Sequence, residues 1–506
     1  MNLAEMLQIK FRSLSSKKAI SFEEASLTYE ELSNAVDHVS VLLRQLGIVK
    51  GDRVAIQLSK CLETVYFHLA CFALGAMALP LNDGYTPTEV EYFVEDSSSS
   101  LLVTDSQNYM KSKDVLPNIP ELRVMTIDEK FPGILFYGEE MERVTLIPNA
   151  DYPARENDAA MICYTSGTTG KPKGAVISHR NLIKNIEDLI DVWKISDRDL
   201  LLHTLPLFHA HGLIVSLFVA LFSGATTIMH RKFDAEEVWR TIERDLCTIF
   251  MGVPTLYQRM LLAWEKIPQK PDIRSMRVFI CGSAPLSEEL FDQFNRSVGH
   301  RILERYGMTE TIIITSNPYE SDLRKAKSVG YTLPTVEIRI VSDNGQDVTT
   351  GNVGEVLIRG GNVFNEYWGN PEKTAESFLG EWFKSGDLGY QDPDDNLRLY
   401  LVGRSKELVI SGGYNVYPKE VENVLEKHTA VKEVAVVGLP DEDFGERVTA
   451  GVVLNEGIET TEDELISYCK TELAGYKCPK RIYFLEELPR NTMGKLLKDE
   501  LKKKFS

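Results

Sequence analysis

Tyr164-Thr165-Ser166-Gly167-Thr168-Thr169-Gly170-Lys171-Pro172-Lys173-Gly174 is the stretch on which the reading of this chain turns. Its three glycines let the backbone close on an anion, four hydroxyls between Thr165 and Thr169 can donate to phosphate oxygens, and Lys171 and Lys173 add positive charge. A loop of this composition is built to hold a polyphosphate. A Walker A loop needs a Ser or Thr directly after its Gly-Lys, and Pro172 follows Lys171 here, so a P-loop NTPase is set aside. A Gly/Ser/Thr-rich surface turn is the plain alternative, and the density of donors and cations weighs against it.

Outward from that loop, the first four hundred residues alternate helical patterns with short β-branched runs. Leu27-Thr28-Tyr29-Glu30-Glu31-Leu32 reads as a capped helix start, and Arg53 to Leu58 and Leu101 to Thr104 read as strands. Ala225 to Met229, Val278 to Cys281 and Glu337 to Val341 continue the alternation. Leu213 to Met229, the most apolar stretch, is short for a membrane span and broken by polar residues, so it reads as a buried helix running into a strand. Repeated β-then-α order predicts an α/β fold, with parallel-rich sheets covered by helices in a large N-terminal domain. After Asp387 the pattern changes: Gln391 to Asn396 is a turn, Arg398 to Val402 a strand, Pro418 to Leu425 a helix and Val431 to Val437 another strand. The last hundred or so residues predict a small α+β domain of their own, which places residues 1–404 in one domain and 405–506 in the other.

With 506 residues, 43% hydrophobic and 26% charged, the chain has ordinary globular composition and length for two domains. A net charge of −18 argues against nonspecific nucleic-acid binding and leaves room for a local basic pocket. The seven cysteines are scattered and never spaced C-x-x-C, which speaks against a zinc site or a disulfide framework and for a reducing cytoplasm. Met1 to Lys18 lacks the apolar core of a signal peptide, and Lys498-Asp499-Glu500-Leu501 lies inside the chain, where a retention signal is not read.

Six further blocks accompany the loop in order: Leu205-Pro206-Leu207-Phe208-His209, Gly282-Ser283-Ala284-Pro285-Leu286, Tyr306-Gly307-Met308-Thr309-Glu310, Ser385-Gly386-Asp387, Gly403-Arg404-Ser405-Lys406 and Pro489-Arg490-Asn491-Thr492-Met493-Gly494-Lys495. Together they resemble the adenylate-forming superfamily of acyl-CoA synthetases, adenylation domains and luciferases, from about residue 20 to residue 500. The resemblance implies ATP, Mg²⁺ and CoA, and a small domain that rotates between two catalytic poses. Thr165, Ser166, Gly167, Thr168, Thr169, Gly170, Lys171 and Lys173 would then hold the β- and γ-phosphates. Adenine would lie beside Ser283, Ala284, Pro285, Tyr306, Gly307 and Met308, with Thr309 on the α-phosphate. Glu310 is a hard carboxylate suited to Mg²⁺. Asp387 would accept from the ribose hydroxyls, Arg404 would contact ribose or phosphate, and Lys495 would stabilise charge that builds on the α-phosphate during adenylation. Lys406 would be the hinge, and Gly412, Gly413 and Tyr414 would line the pantetheine tunnel.

The acid is read from fewer residues. Phe208 to Leu213, Glu304 to Thr311, Thr315 to Tyr319 and Pro489 to Lys495 resemble malonyl-CoA synthetases, and Arg305 stands where many fatty-acyl and aryl relatives carry Gly. A buried guanidinium without a partner is costly, so Arg305 points to a second carboxylate on the substrate; an outward-facing Arg305 is the alternative. Arg231 and Lys232 are a second basic candidate, with His209 as gate of the acyl pocket and Met308 on its wall. Ile312-Ile313-Ile314 is more apolar than that reading expects and keeps a short- to long-chain fatty-acyl-CoA ligase as runner-up. A non-catalytic nucleotide or acyl sensor is disfavoured because Glu310, Asp387, Arg404 and Lys495 are all present; a luciferase-like oxygenase stays open. The expected partners are small molecules, a carboxylate with ATP and CoA, with no nucleic acid and no membrane span. A homodimer is left open.

Overall fold

Leu101-Leu102-Val103-Thr104 has no polar face, and in the computed structural model all four residues are buried, with parallel strands on both sides. The structure describes residues 2–145, 153–165, 172–411, 414–441, 444–491 and 496–505. The chain divides into two compact units: Met1–Ala326 with Thr332–Glu337 and Arg359–Glu381, and Lys327–Tyr331 with Ile338–Ile358 and Trp382–Ser506.

The larger unit holds two sheets. In one, Ala159–Thr165, Met77–Pro80, Arg53–Gln57, Leu101–Thr104, Arg123–Thr126 and Leu135–Phe136 lie side by side in parallel. In the other, Leu303–Tyr306, Val278–Cys281, Ile249–Gly252, Leu200–His203, Thr226–Met229 and Lys18–Phe22 follow one another, also in parallel. Helices cover these sheets because their apolar residues fall on one face. Ala235–Asp245 starts at Asp234, whose carboxylate accepts from Glu237 N, and buries Val238, Trp239 and Ile242, a spacing of one face of a helix. Trp239 then packs 4.8 Å from Trp264 and stacks on Phe294 in an apolar cluster beneath the second sheet.

The capped start at Thr28 is present: Thr28 and Glu31 form a reciprocal capping box at the head of Tyr29–Gln45. The stretch read as a helix running into a strand does so, with one difference. His211–Phe218 is π-helical before Val219–Ser223 closes as an α-helix and Thr226–Met229 pairs into the sheet.

The smaller unit is α+β. Trp382–Asp392 and Arg398–Arg404 are antiparallel. A second, five-stranded sheet joins Tyr414–Val416, Val409–Ser411, Gly445–Leu454, Val431–Asp441 and Arg481–Phe484. Pro418–Leu425 and Glu462–Glu472 pack over its apolar face, around Val436, Val448 and Leu465.

Candidate functional site

The glycine-rich loop connects two antiparallel strands, Ala159–Thr165 and Lys173–Ser178, with Thr165 directly opposite Lys173. Ser166, Gly167, Thr168, Thr169, Gly170 and Lys171 lie outside the described residues. The helix after this hairpin starts only at His179, so the loop is not the strand-to-helix turn of a P-loop. At the base of the hairpin the Thr165 hydroxyl reaches Glu310 Oε1 at 3.5 Å, and the Tyr367 hydroxyl donates to the same oxygen at 2.9 Å. Lys173 Nζ lies 5.4 Å from the centre of the Tyr367 ring. Glu310 and the strands that flank the glycine-rich loop, far apart in sequence, therefore meet. Tyr367 was not singled out from the sequence, where its only signal is an aromatic residue before Trp368.

Glu310 sits in a turn that other residues hold from behind. Gly307 is required there, since a Cβ would stand 1.8 Å from the Ile312 carbonyl oxygen. Ile314 N donates to Tyr306 O at 2.9 Å and closes the turn, with Ile312 at φ +56°. Two buried amides fix its far side: Asn185 donates to Ile313 O at 2.7 Å and Asn362 to Thr311 O at 2.7 Å. Met308, Thr309 and Glu310 are half-buried, while Ile312, Ile313 and Ile314 are buried. A divalent ion fits this chemistry. Among the described residues no cluster of three or more His, Cys, Asp or Glu side chains could hold a metal, so Glu310 would supply one hard oxygen and phosphate and water the remainder. Such an ion would neutralise charge on the phosphates.

One strand residue earlier, Arg305 is 4% exposed and its guanidinium lies against Gly282. The outward-facing alternative is thereby excluded. Its Nε and Nη2, the two nitrogens of one guanidinium edge, have no hydrogen-bond partner among the described residues. Burial lowers its pKa to about 10, so it stays charged near neutral pH. His211 shares this environment: it is 2% exposed, its Nδ1 is 3.1 Å from the Ser283 hydroxyl, and its Nε2 has no partner among the described residues. Burial, and then the nearby Arg305 charge, hold His211 well below the usual histidine range. Ser283 itself is held at φ +68°, a strained conformation for a residue with a Cβ. Ala284 is half-buried and Pro285 exposed. His209 is half-buried and its Nδ1 accepts from His211 N at 3.2 Å. The sequence reading gave His211 no role, since nothing in His-Ala-His ranks the two imidazoles.

Arg231 and Lys232 do not join Arg305. Arg231 is exposed and grips Glu23 through Nε at 2.7 Å and Nη2 at 2.9 Å, and Lys232 is exposed beside it. They follow the strand Thr226–Met229, four sheet positions from Leu303–Tyr306, or about 19 Å at the usual strand spacing. No arginine or lysine side chain spans that gap, so the second basic candidate is withdrawn.

In the smaller unit, Asp387 and Arg404 face each other across the strand pair, with Arg404 Nε 3.0 Å from Asp387 Oδ1. Gly386, at φ +70°, sits inside the strand Trp382–Asp392 where its register against Gly354–Gly360 shifts, and the Ser385 hydroxyl accepts from Asp387 N at 3.0 Å. Lys406 is exposed in the short helix Ser405–Glu407. Tyr414 is exposed and its ring lies 4.8 Å from that of Tyr476. Gly412, Gly413 and Lys495 lie outside the described residues.

The family model of the AMP-binding enzyme matches residues 8–368, and that of the AMP-binding enzyme C-terminal domain matches residues 420–495. An indoleacetate–CoA ligase of Aromatoleum aromaticum is 36% identical over 489 residues, 96% of this chain and 94% of that protein. The mitochondrial malonate–CoA ligase ACSF3 of Mus musculus is 36% identical over 495 residues, 91% of this chain and 83% of that protein. Among solved structures, ATP-bound MatB from Rhodopseudomonas palustris superposes with a TM-score of 0.92 at 37% identity, covering 100% of this chain and 99% of that one. The two named ligases differ in their acid, indoleacetate in one and malonate in the other.

Proposed function

The chain belongs to the AMP-binding enzyme family, the adenylate-forming ligases, and from that premise we propose that its acid is malonate or a similarly small dicarboxylate. As an AMP-forming acyl-CoA synthetase it converts carboxylate, ATP and CoA to acyl-CoA, AMP and diphosphate. A carboxylate oxygen bonds to the α-phosphorus as diphosphate leaves; the CoA sulfur then bonds to the acyl carbon as AMP leaves and the thiol proton is released.

The observation that carries the choice of acid is the orphaned edge of Arg305. Nε and Nη2 are the pair with which Arg231 grips Glu23 on the surface, each nitrogen on its own carboxylate oxygen. At Arg305 the same pair is buried and unmet, a state that costs about 1–3 kcal/mol per group. A distal carboxylate would supply the two acceptors in a charge-assisted fork. A fatty acid would leave them bare, and so the runner-up ligase is placed second. In this reading His209 gates the entry of the acid, and Met308 and Thr309 stand between it and the nucleotide.

Thr165 to Lys173, Ser283 to Pro285, Tyr306, Gly307, Glu310, Asp387 and Arg404 serve the nucleotide, and Lys495 serves adenylation. A boundary at residues 404 and 405, with Lys406 as the hinge and Gly412, Gly413 and Tyr414 on the pantetheine side, completes the cycle. All seven cysteines are free, six of them buried, in keeping with a reducing, cytoplasmic setting, and no described helix is long and apolar enough to cross a membrane. The test is a panel of mono- and dicarboxylic acids scored by diphosphate release with ATP and Mg²⁺. Malonate and its near homologues should give the signal, and turnover confined to monocarboxylates would place Arg305 outside substrate recognition.

A further inference from the structure

Lys60 is a buried lysine that no described carboxylate accompanies. It is 8% exposed, and its Nζ lies 2.7 Å from His203 Nδ1 and 2.9 Å from the His203 carbonyl oxygen. On the far side of the ring, His203 Nε2 is 2.8 Å from the Gly212 carbonyl oxygen. A carbonyl only accepts, so Nε2 carries the proton; the neutral ring then accepts at Nδ1, and Lys60 donates to it. The three groups form a one-way chain from amine to imidazole to the backbone at the head of the π-helix His211–Phe218.

That backbone has no slack. A Cβ on Gly212 would stand 2.0 Å from the Pro206 carbonyl oxygen, and Leu213 N donates to His209 O at 2.9 Å. The segment from Pro206 to Leu213 is folded onto itself, with His203 bound to its underside and His211 bound to Ser283 on the side that faces Arg305. Burial pushes Lys60, His203 and His211 each below their usual ranges, and the Arg305 charge adds to the lowering of His211, so the row and the arginine share one enclosed environment.

We propose that Lys60 and His203 are positioning residues for acid selection, whose hydrogen-bond chain to Gly212 fixes the His209–His211 turn against Ser283 and Arg305. The inference rests on the reading that Arg305 receives the distal carboxylate. An apolar residue at either position would fill the space without holding the turn, and loss of a buried hydrogen bond that leaves its partner bare is worth about tenfold or more in an equilibrium.

The test compares Lys60→Met, His203→Leu and His203→Gln with wild type. Lys60→Met and His203→Leu should raise the KM for malonate about tenfold or more and erode the malonate-to-hexanoate ratio of kcat/KM, with the KM for ATP nearly unchanged. His203→Gln, whose amide can accept from Lys60 and donate to Gly212, should restore most of both. Thermal shift on adding ATP reports whether each variant is folded; Lys60→Met, close to lysine in volume, carries the test if His203→Leu is not. Folded variants with unchanged acid KM and ratio overturn the proposal, as does a His203→Gln enzyme as impaired as His203→Leu. If wild type prefers hexanoate, the dicarboxylate reading fails alone, and the chain is then judged by the same KM shift for hexanoate.

Discussion

Arg231 and Arg305 carry the same guanidinium, and position alone separates them. Arg231 meets Glu23 in water, where solvent screens the pair and it contributes little, whereas Arg305 is enclosed with the same two nitrogens unmet among the described residues. Arg305→Leu should therefore lower kcat/KM for malonate by about two orders of magnitude or more while the KM for ATP stays put. Steady-state kinetics with the two substrates varied in turn would show it, and a parallel rise in both KM values would mean a general disturbance of the strand. Glu310→Gln keeps the acceptor for Thr165 and Tyr367 but removes the charge; its adenylation rate should fall and should need more Mg²⁺ for half-saturation. The sequence singled out Glu310 and Arg305 because each sits in a recognisable block, and the structure brings Glu310 to Thr165 and buries Arg305; their roles toward metal and acid are proposals. What was not legible was that Arg231 belongs to the surface: two basic residues after a buried strand look alike whichever edge of the sheet they leave from.

Elements transmit position to those residues. The turn from Gly307 to Ile314 is held by the missing Cβ of Gly307 and by the amides of Asn185 and Asn362, which bond to the Ile313 and Thr311 carbonyls rather than to Arg305 or Glu310. Gly307→Ala must move Ile312, and with it Glu310, so adenylation should drop about tenfold or more, seen as slower diphosphate release at saturating acid. Two core histidines give a separate prediction. His68 in Leu62–Leu74 and His179 at the head of His179–Val192 are buried, and burial lowers each to about 4. The unfolded chain, with histidines near 6.5, takes up protons between pH 6.5 and 4 that the folded chain refuses. Stability is complete above about pH 6.5 and lost as pH falls toward 4, so Tm should decline across that window, and His68→Leu should flatten the decline. Strands and caps were readable because alternation, β-branching and the Thr28–Glu31 pair are local signals. The π-helix was not, because it depends on Gly212 packing against Pro206 and on His203 reaching Gly212, contacts that no sequence window contains.

At the scale of the whole molecule the chain forms two compact units, and the boundary read from composition and order of blocks, between residues 404 and 405, is a proposal for how the work is divided. The unit that holds Asp387 and Arg404 also takes in Lys327–Tyr331 and Ile338–Ile358, segments that leave and re-enter it along the chain. Lys495→Ala should cost adenylation about two to four orders of magnitude while thioester formation from supplied acyl-adenylate persists. If Lys406 is the hinge proposed above, Lys406→Pro should show the reverse imbalance, because proline fixes φ there; equal loss in both half-reactions would move the hinge elsewhere. The central claim, a CoA ligase whose buried arginine selects a second carboxylate, is tested most directly by kcat/KM of the wild-type enzyme for malonate and for hexanoate, read as CoA thioester formed. The account predicts malonate ahead by about a hundredfold or more; hexanoate equal or ahead would contradict it.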